Sequence, residues 1–207
     1  MKNSTFGSFI DFLKVNPCNI KQTTILIKLG FFSEFGKSQK LLDILDIYNS
    51  YYGKTQFLKS KVEDISDIVK KYSRETEKKY ILENADGFIQ EMCERVENKS
   101  ISVKEYLSAE NEYLGYVDYV NPDLKDYGFV LDIDTKYSPK LTVYNIGTGN
   151  TDIYKISKNI FACNPISQND IIKFTYNRKF KTRLVDGKWI PCTDQYDNWI
   201  EQYIIKR

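Results

Sequence analysis

Hydrophobic residues recur at helical spacing along the first part of the chain. From position 8 to 15 the apolar side chains share one helical face, and Pro17 is expected to end that helix. Asn19 can cap a second helix, because its side-chain oxygen accepts a hydrogen bond from a free amide of the first turn. Gly30 is expected to end the second helix, since glycine adopts a left-handed conformation without strain.

A third helix is predicted from Ser38 to about Gly53, with its apolar residues on one inner stripe. The region 61–98 is acidic and polar, and its apolar residues again follow helical spacing. It predicts two helices separated near Ser73 or at 84–87.

Ser102 and Glu105 have the spacing of a capping box, which predicts a further helix start. Gly115 is well placed to end that helix. We therefore assign residues 1–115 to an all-helical domain.

After Pro122 the pattern changes from helical spacing to alternation, which is typical of strands with one buried face. Asp186 and Gly187, between two apolar runs, predict a two-residue hairpin turn. Five or six strands in about 85 residues fit a small barrel, and the size favours a five-stranded oligonucleotide/oligosaccharide-binding (OB) barrel over 116–207. The predicted fold class is α+β, with a helical module followed by an all-β barrel.

The chain contains no histidine, and its four cysteines are widely spaced and form no CxxC pair. Neither a structural zinc site nor a disulfide framework is expected. Catalysis that depends on histidine is excluded, and we expect free thiols, no metal and no cofactor. Neither a membrane-length apolar run nor the order of a signal peptide is present. The expected location is the cytoplasm, without membrane contact.

Charge is unevenly distributed, although the formal net charge is only +2. Residues 1–60 carry eight basic and four acidic residues, whereas 61–112 carry nine basic and thirteen acidic ones. From Lys173 to Lys188 there are six basic residues and one acidic residue. Two basic regions that flank an acidic one suit two separate contacts with a polyanion. The sixteen tyrosines point less clearly to nucleic acid, since Lys, Ile, Asn and Tyr are common in chains from AT-rich genomes.

Three segments, in order, carry a resemblance to a known family. They are SFIDFL at 8–13, LIKLGFFSEFG at 26–36 and EYLGY at 112–116 with Pro122 following. Together they resemble the C-terminal tail of the alpha subunit of bacterial DNA polymerase III, particularly the forms of Firmicutes and their phages. Asn121 stands where that family usually has histidine.

The resemblance implies a helix-hairpin-helix module followed by an OB domain, which bind duplex or single-stranded DNA beside the polymerase active site. The catalytic aspartates of the palm and the first half of the family's tandem hairpin have no counterpart here. We therefore expect a non-catalytic fragment or the product of a split gene. In this family the tail also contacts other replisome subunits. A protein-interaction module that binds clamp or clamp-loader proteins is the alternative, through the acidic 61–112 region and through Trp199 and Tyr203.

The first candidate DNA site is the glycine turn of the hairpin. Backbone amides between Gly30 and Gly36 can hold a phosphate, assisted by Lys28, Lys37 and Lys40. The alternative is an ordinary helix corner whose aromatic residues pack into the core, namely Phe31, Phe32 and Phe35.

The second candidate DNA site lies on the barrel, where aromatic residues could stack bases and basic residues could guide the backbone. Its predicted members are Lys140, Thr142, Tyr144, Tyr154, Lys155, Lys173, Arg178, Lys179, Lys181 and Arg183. The alternative is a solvated hairpin whose lysines only keep an edge strand soluble.

Two further patterns are given little weight. Asp132 and Asp134 alternate on a strand as in some metal-dependent nucleases, but a single pair of this kind is usually a solvated strand face. The segments 22–26 and 39–42 loosely resemble peptides that bind sliding clamps, but both fall within predicted helices whose apolar residues are needed for the core.

Overall fold

The computed structural model describes residues 8–16 and 19–206, apart from the side chain of Trp189. The predicted helix end at Pro17 lies outside these residues. The chain divides into two compact units, Met1–Ile101 and Ser102–Arg207. The division falls earlier than the boundary predicted after residue 115. The reason is that Leu107, in the helix that follows Ile101, packs in one hydrophobic cluster with residues of the second unit such as Phe129.

The first unit combines five α-helices with three short strands among the described residues. In chain order they are α1 (Phe9–Val15), α2 (Ile20–Lys28), α3 (Ser38–Tyr51), β1 (Gln56–Leu58), α4 (Ser66–Lys71), β2 (Ser73–Glu75), β3 (Lys79–Leu82) and α5 (Ala85–Glu94).

The predicted cap at Asn19 is confirmed, and Ser8 caps α1 as well. The Ser8 side chain accepts from the Asp11 amide at 3.3 Å, and Asn19 accepts from the Lys21 amide at 2.8 Å. Gly30 follows α2 with φ +78°, the left-handed conformation expected of it. These features depend on neighbouring residues only, and local sequence therefore predicts them well.

The prediction of an all-helical N-terminal domain is wrong, because helices and strands are interspersed. The three strands form an antiparallel sheet in the order β1-β3-β2. Phe57 and Tyr80 are cross-strand partners, and each is at most 6% exposed. Ile81, predicted on a helix, lies in β3 because tertiary contacts on the buried face outweigh local helix propensity.

No helix among the described residues has the length and apolar character needed to cross a bilayer. The longest of the described helices, α3, has 14 residues.

The second unit contains two α-helices and five strands among its described residues. They are α6 (Val103–Ala109), β4 (Tyr127–Asp134), β5 (Lys140–Asn145), β6 (Thr151–Lys155), α7 (Lys158–Cys163), β7 (Ile171–Val185) and β8 (Lys188–Lys206). The predicted capping box at Ser102 and Glu105 is present, and Gly115 has φ +77° after a π-helical turn, Glu110–Leu114.

The strands close into a five-stranded barrel in the order β4-β5-β6-β8-β7, consistent with the predicted OB-like barrel. Strand β6 pairs with β8 in parallel, and the other pairs are antiparallel. The interior is filled by alternate apolar residues of all five strands, among them Val130, Leu141, Val143, Tyr154, Ile172 and Ile200.

The last two strands extend beyond the barrel as a long hairpin. Strand β4 pairs with β7 at 171–173, and β6 pairs with β8 only at Asn198 and Trp199. The two strands continue to pair with each other as far as Val185 and Lys188, and the predicted turn at 186–187 is confirmed. We call residues 176–197 the arm.

Candidate nucleic-acid interface

Most of the amides at the turn between α2 and α3 already have partners within the chain. In the predicted 30–36 stretch, the amides of Gly30, Phe31, Ser33 and Phe35 donate to carbonyls of α2 or of the turn itself. The Lys37 amide donates to the Asn98 side chain at 3.0 Å. The amides of Gln39 and Lys40 both donate to the Lys99 carbonyl, at 3.1 and 3.2 Å. The backbone amides at the N-terminus of α3 thus already have hydrogen-bond partners within the chain. The helix-hairpin-helix module is not confirmed.

Aromatic packing explains most of this turn instead. The rings of Phe32 and Phe35 lie 5.0–6.3 Å from those of Phe9 and Phe12, whereas Phe31 is 66% exposed. The predicted site residues nearby are Lys37, which is exposed, and Lys28, Gly30, Gly36 and Lys40, which are partly buried. With the amides occupied, the turn is a packed helix corner that bears three lysines.

Tyr144 and Tyr154 are not available to stack bases, which contradicts their predicted role. Tyr144 is 3% exposed and donates to the Tyr119 carbonyl at 3.0 Å. The segment that follows α6 covers it on its side of β5. Tyr154 is 2% exposed, faces the barrel interior and donates to the Asn145 side chain at 3.5 Å. Alternation alone predicted that both rings lie on one open face. In the structure, the segment after α6 covers Tyr144, and the barrel encloses Tyr154.

The remaining predicted barrel residues fall into two groups. Lys140, Thr142 and Lys155 are half-buried on the barrel wall. Lys155 forms an ion pair with Asp197 at 2.5 Å, and its charge is therefore already compensated. The second group is exposed and follows β7: Lys173, Arg178, Lys179, Lys181 and Arg183.

The arm collects basic residues on one side. Along β7, Lys179, Lys181 and Arg183 occupy alternate positions, which in a regular strand lie on one face, although the pairing with β8 shifts register between Phe180 and Thr182. We call these three residues the basic face. At its base the Lys179 ammonium lies 5.2 Å from the centre of the Trp199 ring. Among the described residues, none of the three basic-face cations lies within ion-pairing distance of a carboxylate. Asp197 lies opposite Lys179 in the ladder but is paired with Lys155, and the three exposed cations are accessible to an anionic partner.

The opposite side of the arm is aromatic. Phe180 and Tyr196 are cross-strand partners whose ring centres are 4.8 Å apart, and both are about half exposed. Tyr176 and Arg178 precede Phe180 on the same side of β7 by alternation. We call these four residues the aromatic face. Phe180 and Tyr196 were not predicted as site residues, although basic and aromatic residues alternate in β7 and are a signal for them.

The acidic pair considered as a possible metal site does not form one with other acids among the described residues. Asp132 and Asp134 are exposed on β4, and the Asp134 carboxylate accepts from the Lys136 amide at 2.9 Å. Across 8–16 and 19–206, no group of three or more acids and cysteines is arranged to hold a metal ion.

Comparison of the chain with protein-family models, with curated proteins and with solved structures found no match. The resemblance to the polymerase tail therefore stays a prediction from the three segments that carry it.

Proposed function

We propose that this chain is a non-catalytic DNA-binding module whose basic face contacts backbone phosphates. The observation that supports the proposal is the succession of Lys179, Lys181 and Arg183 at alternate exposed positions of the arm, none of them paired with a carboxylate among the described residues. Exposed cations in such a row suit the repeated charges of a nucleic-acid backbone. Contacts of this kind position a strand without reading its sequence.

The choice of DNA rests on the resemblance of three segments to the polymerase III alpha tail. In that setting the barrel is an OB domain, and the chain acts within or beside a replicative polymerase. The arm replaces the glycine turn as the proposed contact, because the first amides of α3 already have partners within the chain.

The test is DNA binding by a variant with Lys179→Gln, Lys181→Gln and Arg183→Gln. We expect weaker binding to 30-nucleotide single strands and duplexes, and a duplex salt slope that is shallower by about 3, roughly one for each lost phosphate contact. Fluorescence anisotropy between 50 and 300 mM salt measures both quantities.

The matched control is Lys61→Gln, Lys70→Gln and Lys78→Gln, which removes the same charge from exposed positions of the first unit. It should leave the slope nearly unchanged. The proposal is wrong if the unaltered protein does not bind DNA at low salt, or if both triple variants lose affinity equally.

A second candidate function is protein interaction with clamp or clamp-loader subunits. The observation that favours it is an apolar groove of about 840 Å³ beside α7, where Ile204 is 70% exposed. Trp199 and Tyr203, suspected in the sequence, are both half-buried. Binding of such subunits by a protein that has no affinity for DNA would favour this alternative.

A further inference from the structure

The aromatic face of the arm is not needed to fill the barrel. Tyr176 packs edge-on against the interior ring of Tyr154, with centres 5.0 Å apart, and so anchors the base of the arm. Farther out, Phe180 and Tyr196 are 49% and 48% exposed, while Leu184 nearer the turn is 58% exposed. Two neighbouring half-exposed rings on a two-stranded ribbon form an exposed apolar patch of the kind that marks binding surfaces.

The chemistry of this face suits a ligand that combines flat aromatic rings with negative charge. Arg178 lies between Tyr176 and Phe180 along the strand, and side chains at alternate positions are about 7 Å apart. Aromatic rings stack on nucleobases of any sequence, and a guanidinium can stack on a base or bind a phosphate. The cations of the basic face lie on the same two strands and add attraction for a polyanion.

A second copy of this chain is a poorer occupant. Pairing two arms through this face would bring the Arg178 guanidinium groups of both copies into one apolar interface. Repulsion between these cations opposes such a pairing, whereas a nucleic acid neutralises them.

We propose that the aromatic face stacks unpaired bases, which makes single-stranded DNA the preferred ligand of the arm. The inference rests on the proposed function, because the basic face supplies the phosphate contacts. In a duplex the bases are already stacked and paired and therefore cannot reach these rings. Single strands gain both sets of contacts, whereas duplexes gain only the phosphate contacts.

The experiment compares the unaltered protein with a Phe180→Ala, Tyr196→Ala variant on a 30-nucleotide thymidine strand and on a duplex of equal length. Stacking of one base is worth roughly 5- to 150-fold in affinity. We expect the variant to bind the single strand at least tenfold more weakly, while its duplex affinity changes less than twofold. Phe180→Tyr, Tyr196→Phe should retain single-strand affinity, because both rings remain.

The control variant is Tyr137→Ala, which removes a tyrosine that is 68% exposed and outside the arm. It should bind both ligands like the unaltered protein. Circular dichroism and the melting temperature establish that each variant is folded.

Three results would overturn the inference. Equal losses for both ligands would show that the rings only hold the arm in shape, and unchanged single-strand affinity would show that bases do not contact them. In both cases the proposed function would stand, provided that the basic-face variant loses DNA affinity. Failure of the unaltered protein to bind either DNA would refute both proposals.

Discussion

At the scale of single residues, two glutamates show how different surroundings shift the pKa of a carboxyl group in opposite directions. Glu110 is 2% exposed in the π-helical turn after α6, and burial and the nearby Asp118 carboxyl raise its pKa. Hydrogen bonds from Lys71, Tyr72 and Arg95 lower the pKa of Glu91 to about 2. The first carboxyl is more easily protonated in the folded protein, and the second is held in its charged form.

We predict that Glu110→Gln stabilises the protein increasingly as pH rises. A raised folded-state pKa means that the folded state binds the proton more tightly than the unfolded state does. The contribution of Glu110 to the free energy of unfolding is therefore fully present below the ordinary pKa of a glutamate. It is lost as pH rises through the raised pKa of the folded state. Glutamine mimics the protonated form at every pH.

Thermal unfolding from pH 4 to pH 9 measures this difference. Glu112→Gln, at an exposed position of the same turn, serves as control and should show no such trend. A difference between Glu110→Gln and the unaltered protein that is constant across this range would refute the prediction.

At the scale of elements, the barrel requires a glycine where strands β4, β5 and β7 come close together. A Cβ atom on Gly128 would lie 2.2 Å from Cγ1 of Val143 and 2.9 Å from Cε1 of Phe174. These distances are far below van der Waals contact, and Val143 is fully buried and has no room to move aside. The constraint is one of space between strands.

We therefore predict that Gly128→Ala lowers the free energy of unfolding by about 1–3 kcal/mol, the usual cost of overpacking a core. Val143→Ala should destabilise by creating a cavity. The double variant should be less destabilised than the sum of the single effects, because the shorter side chain removes the atom that the new methyl group would strike. Urea denaturation of the four proteins gives this coupling, and strict additivity would contradict the explanation.

At the scale of the whole molecule, each compact unit builds its own hydrophobic clusters. The two clusters of the second unit draw only on residues from 103 onward. The two of the first unit draw only on residues before 97. A unit whose core is self-contained is expected to fold without the other.

We predict that the fragment Ser102–Arg207 folds cooperatively and retains the DNA affinity of the full chain within about threefold. The reason is that this fragment contains the barrel and both faces of the arm. Urea unfolding and fluorescence anisotropy of the fragment measure the two properties.

The fragment Met1–Ile101 should fold without appreciable DNA affinity, because the first amides of α3 are occupied by Asn98 and Lys99. DNA binding that resides mainly in this fragment would return the candidate site to the glycine turn.

Local sequence determined the features that depend on a few adjacent residues. The caps at Ser8, Asn19 and Ser102, the left-handed Gly30 and the 186–187 turn all follow from side-chain and backbone preferences within one turn. The alternating pattern after Pro122 likewise predicted the barrel strands, because one face of each strand must be apolar. The basic residues of the arm were visible as a cluster because they are close together in sequence.

Tertiary structure decided which of these groups are accessible. Burial of Tyr144 and Tyr154 depends on elements distant in sequence, and the amides of α3 are occupied by residues about 60 positions away. The sheet of the first unit arises from pairing of strands that are individually too short to be recognised. That the predicted basic residues of β7 lie on an arm was shown only by the tertiary structure, in which two strands continue beyond their neighbours. Sequence patterns record local preference, whereas exposure is a property of the packed chain.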